Sequence, residues 1–235
     1  MKTSKEKTAP VYDVAAQGTV FSVQRNGRSL MTPAGAALAL PTQALAEAIA
    51  DEWRAQGDKI VPATMPMTQL AATALDIVRK DREKIVVGLL NYVGSELLCH
   101  RVETPASLCA KQAEIWQPYL DWCEQAFSVC FALGCGVMPI TQKPETVAVL
   151  RKVIESYDDL HLAGLSSAVD SAGSLILGLA LAQGTRAATD IFTACELDAA
   201  HQAITWGDDP VTQARHTALR QDLAACEKWF GLLKK

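Results

Sequence analysis

Residues 52–76 read EWRAQGDKIVPATMPMTQLAATALD. The stretch closes one amphipathic helix and opens another through a proline-punctuated connector rich in Thr and Met. On its N-terminal side, Thr42 is placed to cap a helix whose apolar stripe is Leu45, Ile49 and Trp53, and Gly57 ends the pattern. On its C-terminal side, Pro66 fits the first turn of the next helix, where its missing N–H costs nothing. Met67, Leu70, Ala74, Leu75 and Val78 then form the second buried stripe. No nucleophile, metal-ligand set or phosphate loop interrupts the connector. Its residues suit a packed corner and a presented surface, so they point to a binding protein.

Before the first helix, segments from Val11 to Leu40 are short and turn-rich. Val20, Phe21 and Val23 lead into Arg25-Asn26-Gly27-Arg28, a hairpin signal because Asn and Gly both tolerate positive φ. Thr32-Pro33-Ala34-Gly35 predicts another turn, followed by a short strand near Ala37–Leu40. After the second helix, Ile85–Leu98 carries a mixed signal around Leu89 and Leu90. Thr104-Pro105 opens a long pattern through Leu108, Ile115, Trp116, Leu120, Cys123, Phe127 and Phe131. Pro118 is expected to break or kink it, and Gly134 and Gly136 to close it. Further helices are predicted at 144–158, 162–182, 188–203 and 210–233. The last has Asp209 as cap, Pro210 in its first turn, and Leu219, Leu223, Cys226, Phe230 and Leu233 on one face. The predicted fold class is α+β: a small N-terminal α/β domain with short strands (1–82), then a mainly helical orthogonal bundle (83–235).

A chain of 235 residues can bury about 70 % of its extended surface and needs no disulfides for stability. The formal charge of −4, from 22 basic and 26 acidic residues, lacks the basic excess of a dedicated nucleic-acid binder. The mixed-sign run Arg79-Lys80-Asp81-Arg82-Glu83-Lys84 is a solvated helix end for the same reason. Seven cysteines include no CxxC pair. Packed reduced thiols account for them, with Cys123 and Cys130 expected on one helix face. The opening MKTSKEKTAP has no apolar h-region, and the most apolar run, Leu175–Ala182, is too short to span a bilayer. These features predict a soluble intracellular protein with no membrane insertion.

Chemistry-bearing motifs are sparse. GSLILG has the wrong glycine spacing for a dinucleotide turn, and no GxxxxGK[ST] occurs. DSAGS lacks the context of a nucleophile elbow, so Ser171 and Ser174 are predicted as helix-packing residues. Asp158, Asp159 and His161 are expected at a solvated helix end more than at a metal. Cys99-His100 has nominal nucleophile and base types, but adjacent residues do not generally turn their side chains toward each other. Neither a catalytic set nor a cofactor is expected.

Around Trp53 and PATMPMT the sequence resembles the ATP12 family, assembly chaperones of the F1 sector of ATP synthase. Gly27-Arg28 with Thr32-Pro33-Ala34-Gly35 resembles the family's GR-x-x-x-TPAG. Leu40-Pro41-Thr42, Ala44-Leu45-Ala46 and Glu52-Trp53-x-x-Gln56 follow in order, then Pro62, Met65-Pro66, Thr68, Leu70, Thr73 and Ala74-Leu75-Asp76. SELLCHR at 95–101 is similar to the family's TDLLCYR, and Gly173-Ser174-Leu175 and Trp206-Gly207-Asp208-Asp209 continue the pattern. The resemblance implies a noncatalytic chaperone, with a small α/β domain plus a helical one. Its partner would be the unassembled F1 alpha subunit, held against aggregation before it joins beta. With no targeting segment evident, the bacterial cytoplasm is the expected location, or the mitochondrial matrix in a eukaryote, and a monomer is expected.

The sequence departs from the family's acidic LDE-type segment, which here is Glu196-Leu197-Asp198-Ala199-Ala200, with alanine at the usual second acid and His201 at the usual aromatic. The candidate client-binding surface is Glu196, Asp198, Trp206 and Asp208. Support at the domain corner is assigned to Glu52, Trp53, Asp76 and Arg101, with Glu52 or Asp76 as the carboxylate for Arg101. Two other function classes remain at this point: a small intracellular enzyme using Cys99, and a general scaffold.

Overall fold

The computed structural model describes residues 10–136, 140–207 and 209–234, the side chains of Thr205 and Trp206 excepted. Strands β1 (Tyr12–Gln17) and β2 (Val20–Arg25) form an antiparallel hairpin in which Val14 faces Val23. Asn26 and Gly27 turn the chain at φ 51° and 76°, the conformation a two-residue hairpin needs, into β3 (Arg28–Ser29). β4 (Ala39–Leu40) also pairs with β2, so β2 is the hub of the sheet. One face packs on α1 (Gln43–Arg54), whose N-terminus Thr42 caps by accepting from the Leu45 N–H at 3.2 Å.

Residues 66–94 form one helical run: α2 (Pro66–Thr73), a π-helical turn (Ala74–Val78) and α3 (Arg79–Gly94), kinked at Asp81. The run passes position 82 without a loop. Beyond it, β5 (His100–Arg101) pairs in parallel with β6 (Gly134–Cys135) across α4 (Ala106–Phe127). Six more helices follow: α5 (Pro144–Glu155), α6 (Asp159–Ala172), α7 (Leu175–Gln183), α8 (Ala188–Cys195), α9 (Leu197–Trp206) and α10 (Pro210–Leu233). A single cluster of buried side chains runs from Val23 through to Leu233. Across it, the Thr42 hydroxyl donates to the Leu232 carbonyl at 2.6 Å, tying the start of α1 to the end of α10.

Several helix expectations need correction. α4 runs through Pro118 unbroken; packing of Trp116, Tyr119 and Leu120 on both sides of the proline outweighs one missing backbone bond. The helix ends at Phe127 with Ser128 left-handed, well before Gly134, so exposed Cys130 shares no face with buried Cys123. The helix expected at 162–182 is two, because Gly173 adopts φ 65° and Ser174 caps a new one. The helix expected at 188–203 also breaks, at Glu196.

Every residue of Leu175–Ala182 is buried, and α7 lies among α3, α4, α6, α8 and α10. Helices approach closely because Gly178 has no side chain: a Cβ there would lie 2.4 Å from Val169 Cγ2 and 3.2 Å from the Val169 backbone nitrogen. Gly178→Ala is therefore expected to cost about 1–3 kcal/mol through overpacking, lowering the urea midpoint with the slope unchanged. A midpoint equal to that of the parent would show that α6 and α7 can move apart freely.

Candidate functional site

At the corner between the sheet and α2, two carboxylates each organise a backbone turn. Glu52 accepts from the Met67 and Thr68 N–H groups at 2.7 and 2.8 Å and from the Thr68 hydroxyl at 2.7 Å, occupying the donors exposed at the start of α2. Asp76, inside the π turn, accepts from the Thr32 hydroxyl at 2.6 Å and the Ala34 N–H at 3.0 Å. The Thr32 bond, helped by Ala34, holds the Asp76 carboxyl below its ordinary range. The TPAG turn is thus fastened to the helical run by one side chain.

Between these two anchors, half-buried Trp53 leans on Tyr12 with ring centroids 5.8 Å apart. It also forms one wall of a cavity of about 320 Å³ shared with Met31, Pro33, Leu38, Pro62, Met65 and Ala72. The Trp53 Nε1–H is buried and has no acceptor among the described residues. Exposed Met31, Ile60 and Val61 lie around this region of the connector.

Arg101 does not join this corner. Its guanidinium donates to the Gln112 carbonyl at 2.7 Å and to Gln117 Oε1 at 3.4 Å, and lies over the Trp116 ring at 5.3 Å. Glu52 and Asp76 are already taken up by backbone N–H groups, so the anticipated ion pair is absent. Burial lowers the Arg101 pKa from its ordinary value.

What Arg101 reaches is the second candidate surface. Gln112, on the buried stripe of α4, accepts from the Val102 N–H at 3.0 Å and donates to Asp198 Oδ1 at 2.8 Å. Trp116 Nε1 donates to the Ala194 carbonyl at 2.8 Å. His201 Nε2 lies 3.3 Å from the Ser107 hydroxyl. This polar ladder joins the segment after residue 95 to the start of α9. Beside it, Glu196 is 8 % exposed and held by Arg215, which donates from both terminal nitrogens, and by His216 Nε2 at 2.9 Å. Burial pushes the Glu196 carboxyl up, but Arg215 and then His216 outweigh that effect and hold it below its ordinary range. Glu196 thus joins the α8–α9 break to α10. Asp198 is half-buried. Trp206 ends α9 with a side chain outside the described set, and Asp208 lies outside the described residues.

Sequence reasoning missed Gln112, Arg215 and His216 as partners. A glutamine between Leu108 and Trp116 on an apolar stripe was the available signal, since a buried amide needs partners. From sequence, Glu96 is only one letter of the SELLCHR segment. It is 1 % exposed and accepts from the Ser174 hydroxyl and from the N–H groups of Leu175, Ile176 and Leu98 at 2.9, 3.3 and 3.4 Å. Burial pushes it up to about 7 against the pull of those donors. Ser174 is thus a cap and a carboxylate partner, beyond the packing role read from sequence.

The other titratable candidates named from sequence are bound up structurally. Asp158 caps α6 through the His161 N–H at 2.8 Å, and Asp159 pairs with Arg82 at 2.9 Å. Burial pushes the Cys99 thiol up to about 12, which keeps it protonated and poorly nucleophilic at neutral pH. Among the described residues no three His, Cys, Asp or Glu side chains gather as metal ligands, and no helix is long and apolar enough to cross a membrane.

The family model described as ATP12 chaperone protein matches residues 6–124. The crystal structure of Atp12 from Paracoccus denitrificans superposes with a TM-score of 0.90 at 32 % identity, covering 95 % of this chain and 96 % of that one. An aspartate-to-lysine mutant of the same bacterium's Atp12p gives 0.90 at 32 % identity, covering 95 % of each chain. The Atu1473 protein of Agrobacterium tumefaciens gives 0.89 at 32 % identity, covering 95 % of this chain and 84 % of that one. Sequence and fold agree from the sheet to the last helix, and the chain belongs to the ATP12 chaperone family.

Proposed function

We propose that this chaperone acts in ATP synthase assembly by holding the unassembled F1 alpha subunit until beta displaces it, without catalysing a reaction. The similarity to Atp12 structures over 95 % of the chain carries the reading. An assembly subunit without its neighbour exposes an interface that is apolar at its centre, and covering it suppresses aggregation. Release then needs only a partner with a better interface. The apolar wall around Trp53 and the half-buried Asp198 at the start of α9 are two places that such a client can engage. A thiol enzyme built on Cys99 is disfavoured by the burial that keeps this group protonated. The bacterial cytoplasm suits this role, and a monomer suffices for it.

Tagged protein purified gently from cells assembling ATP synthase should retain F1 alpha. Its reproducible absence would sink the proposal. Retention should survive nucleotide removal, chelation and thiol reduction, since the surfaces above use none of these. Loss on any one treatment, with the fold intact, would reject that independence.

A further inference from the structure

Strand β1 forms one edge of the sheet, and among the described residues it pairs only with β2. Gln17 faces Val20 across the two-residue turn Gly18-Thr19, and the Asn26 N–H donates to the Val11 carbonyl at 2.8 Å. Bonding alternates along an antiparallel pair, so residues 11, 13, 15 and 17 turn their backbone groups toward β2. Residues 12, 14 and 16 turn theirs outward. The Tyr12 carbonyl is already met there: Arg54 of α1 donates to it from Nε at 2.9 Å and from a terminal nitrogen at 2.7 Å. Among the described residues, Val14 and Ala16 have no such cover, and the chain from Ala16 to Thr19 is exposed. Edges of this kind are usually blunted by lysine, proline or a bulge. The strand YDVAAQ has neither residue, and its register with β2 runs unbroken.

An open edge selects its occupant by backbone chemistry: N–H and C=O groups at alternate residues fit another extended chain. A second copy of this protein fits poorly. Arg54 closes one end and the turn at Gly18 the other, so two β1 edges can share only Val14 and Ala16. That is about four bonds, far short of the ~1,200 Å² that a stable interface buries. A client held elsewhere as well has no such requirement. Tyr12 leans on Trp53, so the edge begins beside the apolar wall already described. Its closed end is acidic. The Arg54 guanidinium also bonds Asp51 at 2.7 Å and Glu47 at 3.3 Å, and exposed Asp13 projects from the opposite face of the strand. Arg25, across from Tyr12 on β2, lies one strand further in.

We propose that a short extended segment of the client adds to the sheet beside Val14 and Ala16, with a lysine or arginine at the Arg54 end. This rests on the chaperone reading above. Arg54 sets where the added strand stops, because the Tyr12 carbonyl is taken, and the carboxylates around it favour the basic residue.

Hydrogen exchange followed by NMR tests the free protein first. The amides of Val14 and Ala16 should exchange freely, while those of Asp13, Ala15 and Gln17 are protected. Protection of Val14 and Ala16 in the free protein means that the edge is already filled, by this chain or by a second copy, and overturns the proposal. In complex with purified F1 alpha, residues 11–18 should gain protection, read by mass spectrometry. Ala16→Pro removes an outward N–H and leaves the bonds to β2 intact. Calorimetry should show it binding alpha about five- to thirty-fold more weakly, the worth of one or two backbone hydrogen bonds. If that variant does not fold, Ala16→Lys takes its place and should also weaken binding. Glu47→Gln combined with Asp51→Asn should weaken binding about two- to five-fold at low salt and little at high salt.

Parent affinity in the folded Ala16→Pro variant, or a complex without new protection at 11–18, overturns the proposal and leaves the chaperone reading standing. Unchanged affinity in the neutralised variant overturns the basic residue alone. If the parent itself binds no alpha, the chaperone reading fails, and the edge, left without a client, falls with it.

Discussion

Glu96→Ala is expected to lower stability by about 3–5 kcal/mol, the cost of leaving several buried donors without their acceptor. The Ser174 hydroxyl and the N–H groups of Leu175 and Ile176 lose their partner together, at the first turn of a helix that is buried on all sides. Glu96→Gln should do less harm, since its amide oxygen still accepts. The two variants also separate by pH. The ordinary glutamate value is 4.5, and the folded protein holds this one at about 7. Between those values the folded state binds the extra proton, so the contribution is fully present below 4.5 and is lost as pH rises through about 7. Parent stability relative to Glu96→Gln should therefore fall across that window and level off above it. A flat difference from pH 4 to 8, measured by urea unfolding, would show that the fold leaves Glu96 at its ordinary value.

Glu196→Lys is expected to destabilise the fold by about 2–4 kcal/mol, less than for a wholly buried pair because Arg215 is half exposed. The substitution sets a second cation against Arg215, beside His216, where α8 breaks into α9. This differs from the sequence reading, which places Glu196 with Asp198 on the client-binding surface. Asp198 is held by one neutral amide and is half-buried, so Asp198→Lys should be the milder change in an unfolding curve. Coincident curves for Glu196→Lys and the parent would refute the brace and return this carboxylate to the client surface. The pH signs of the two glutamates oppose: the depressed Glu196 contributes stability above its ordinary value and loses it as acid protonates it.

Much of the architecture was readable because local rules were strong. Asn26-Gly27, the Thr42 cap, Pro66 and Pro210 each force a conformation on their own neighbours, and the structure places an element boundary at every one. Errors came where tertiary partners decide. Ser174 looks like a helix-packing residue until Glu96, 78 residues earlier, supplies the carboxylate that takes up the first donors of a new helix. Pro118 looks like a break until both flanks of α4 are packed. Glu52 and Asp76 could be named as corner residues, but their backbone partners could not, and Arg101 was matched by charge when its nearest acceptors were a carbonyl and an amide. A candidate pair chosen by sign alone overlooks neutral acceptors, which are more numerous.

The fully enclosed helix α7 also bears on how the chain comes into being. Its LILGLALA segment leaves the ribosome after α3, α4 and α6 have been made and before α8 and α10. Until α10 arrives, a greasy strip waits with one side uncovered, and the bond from Thr42 to the Leu232 carbonyl closes only once that helix has been made. A nascent copy of this chaperone therefore passes through the predicament it is proposed to relieve in its client: a sticky surface whose cover has not yet been made.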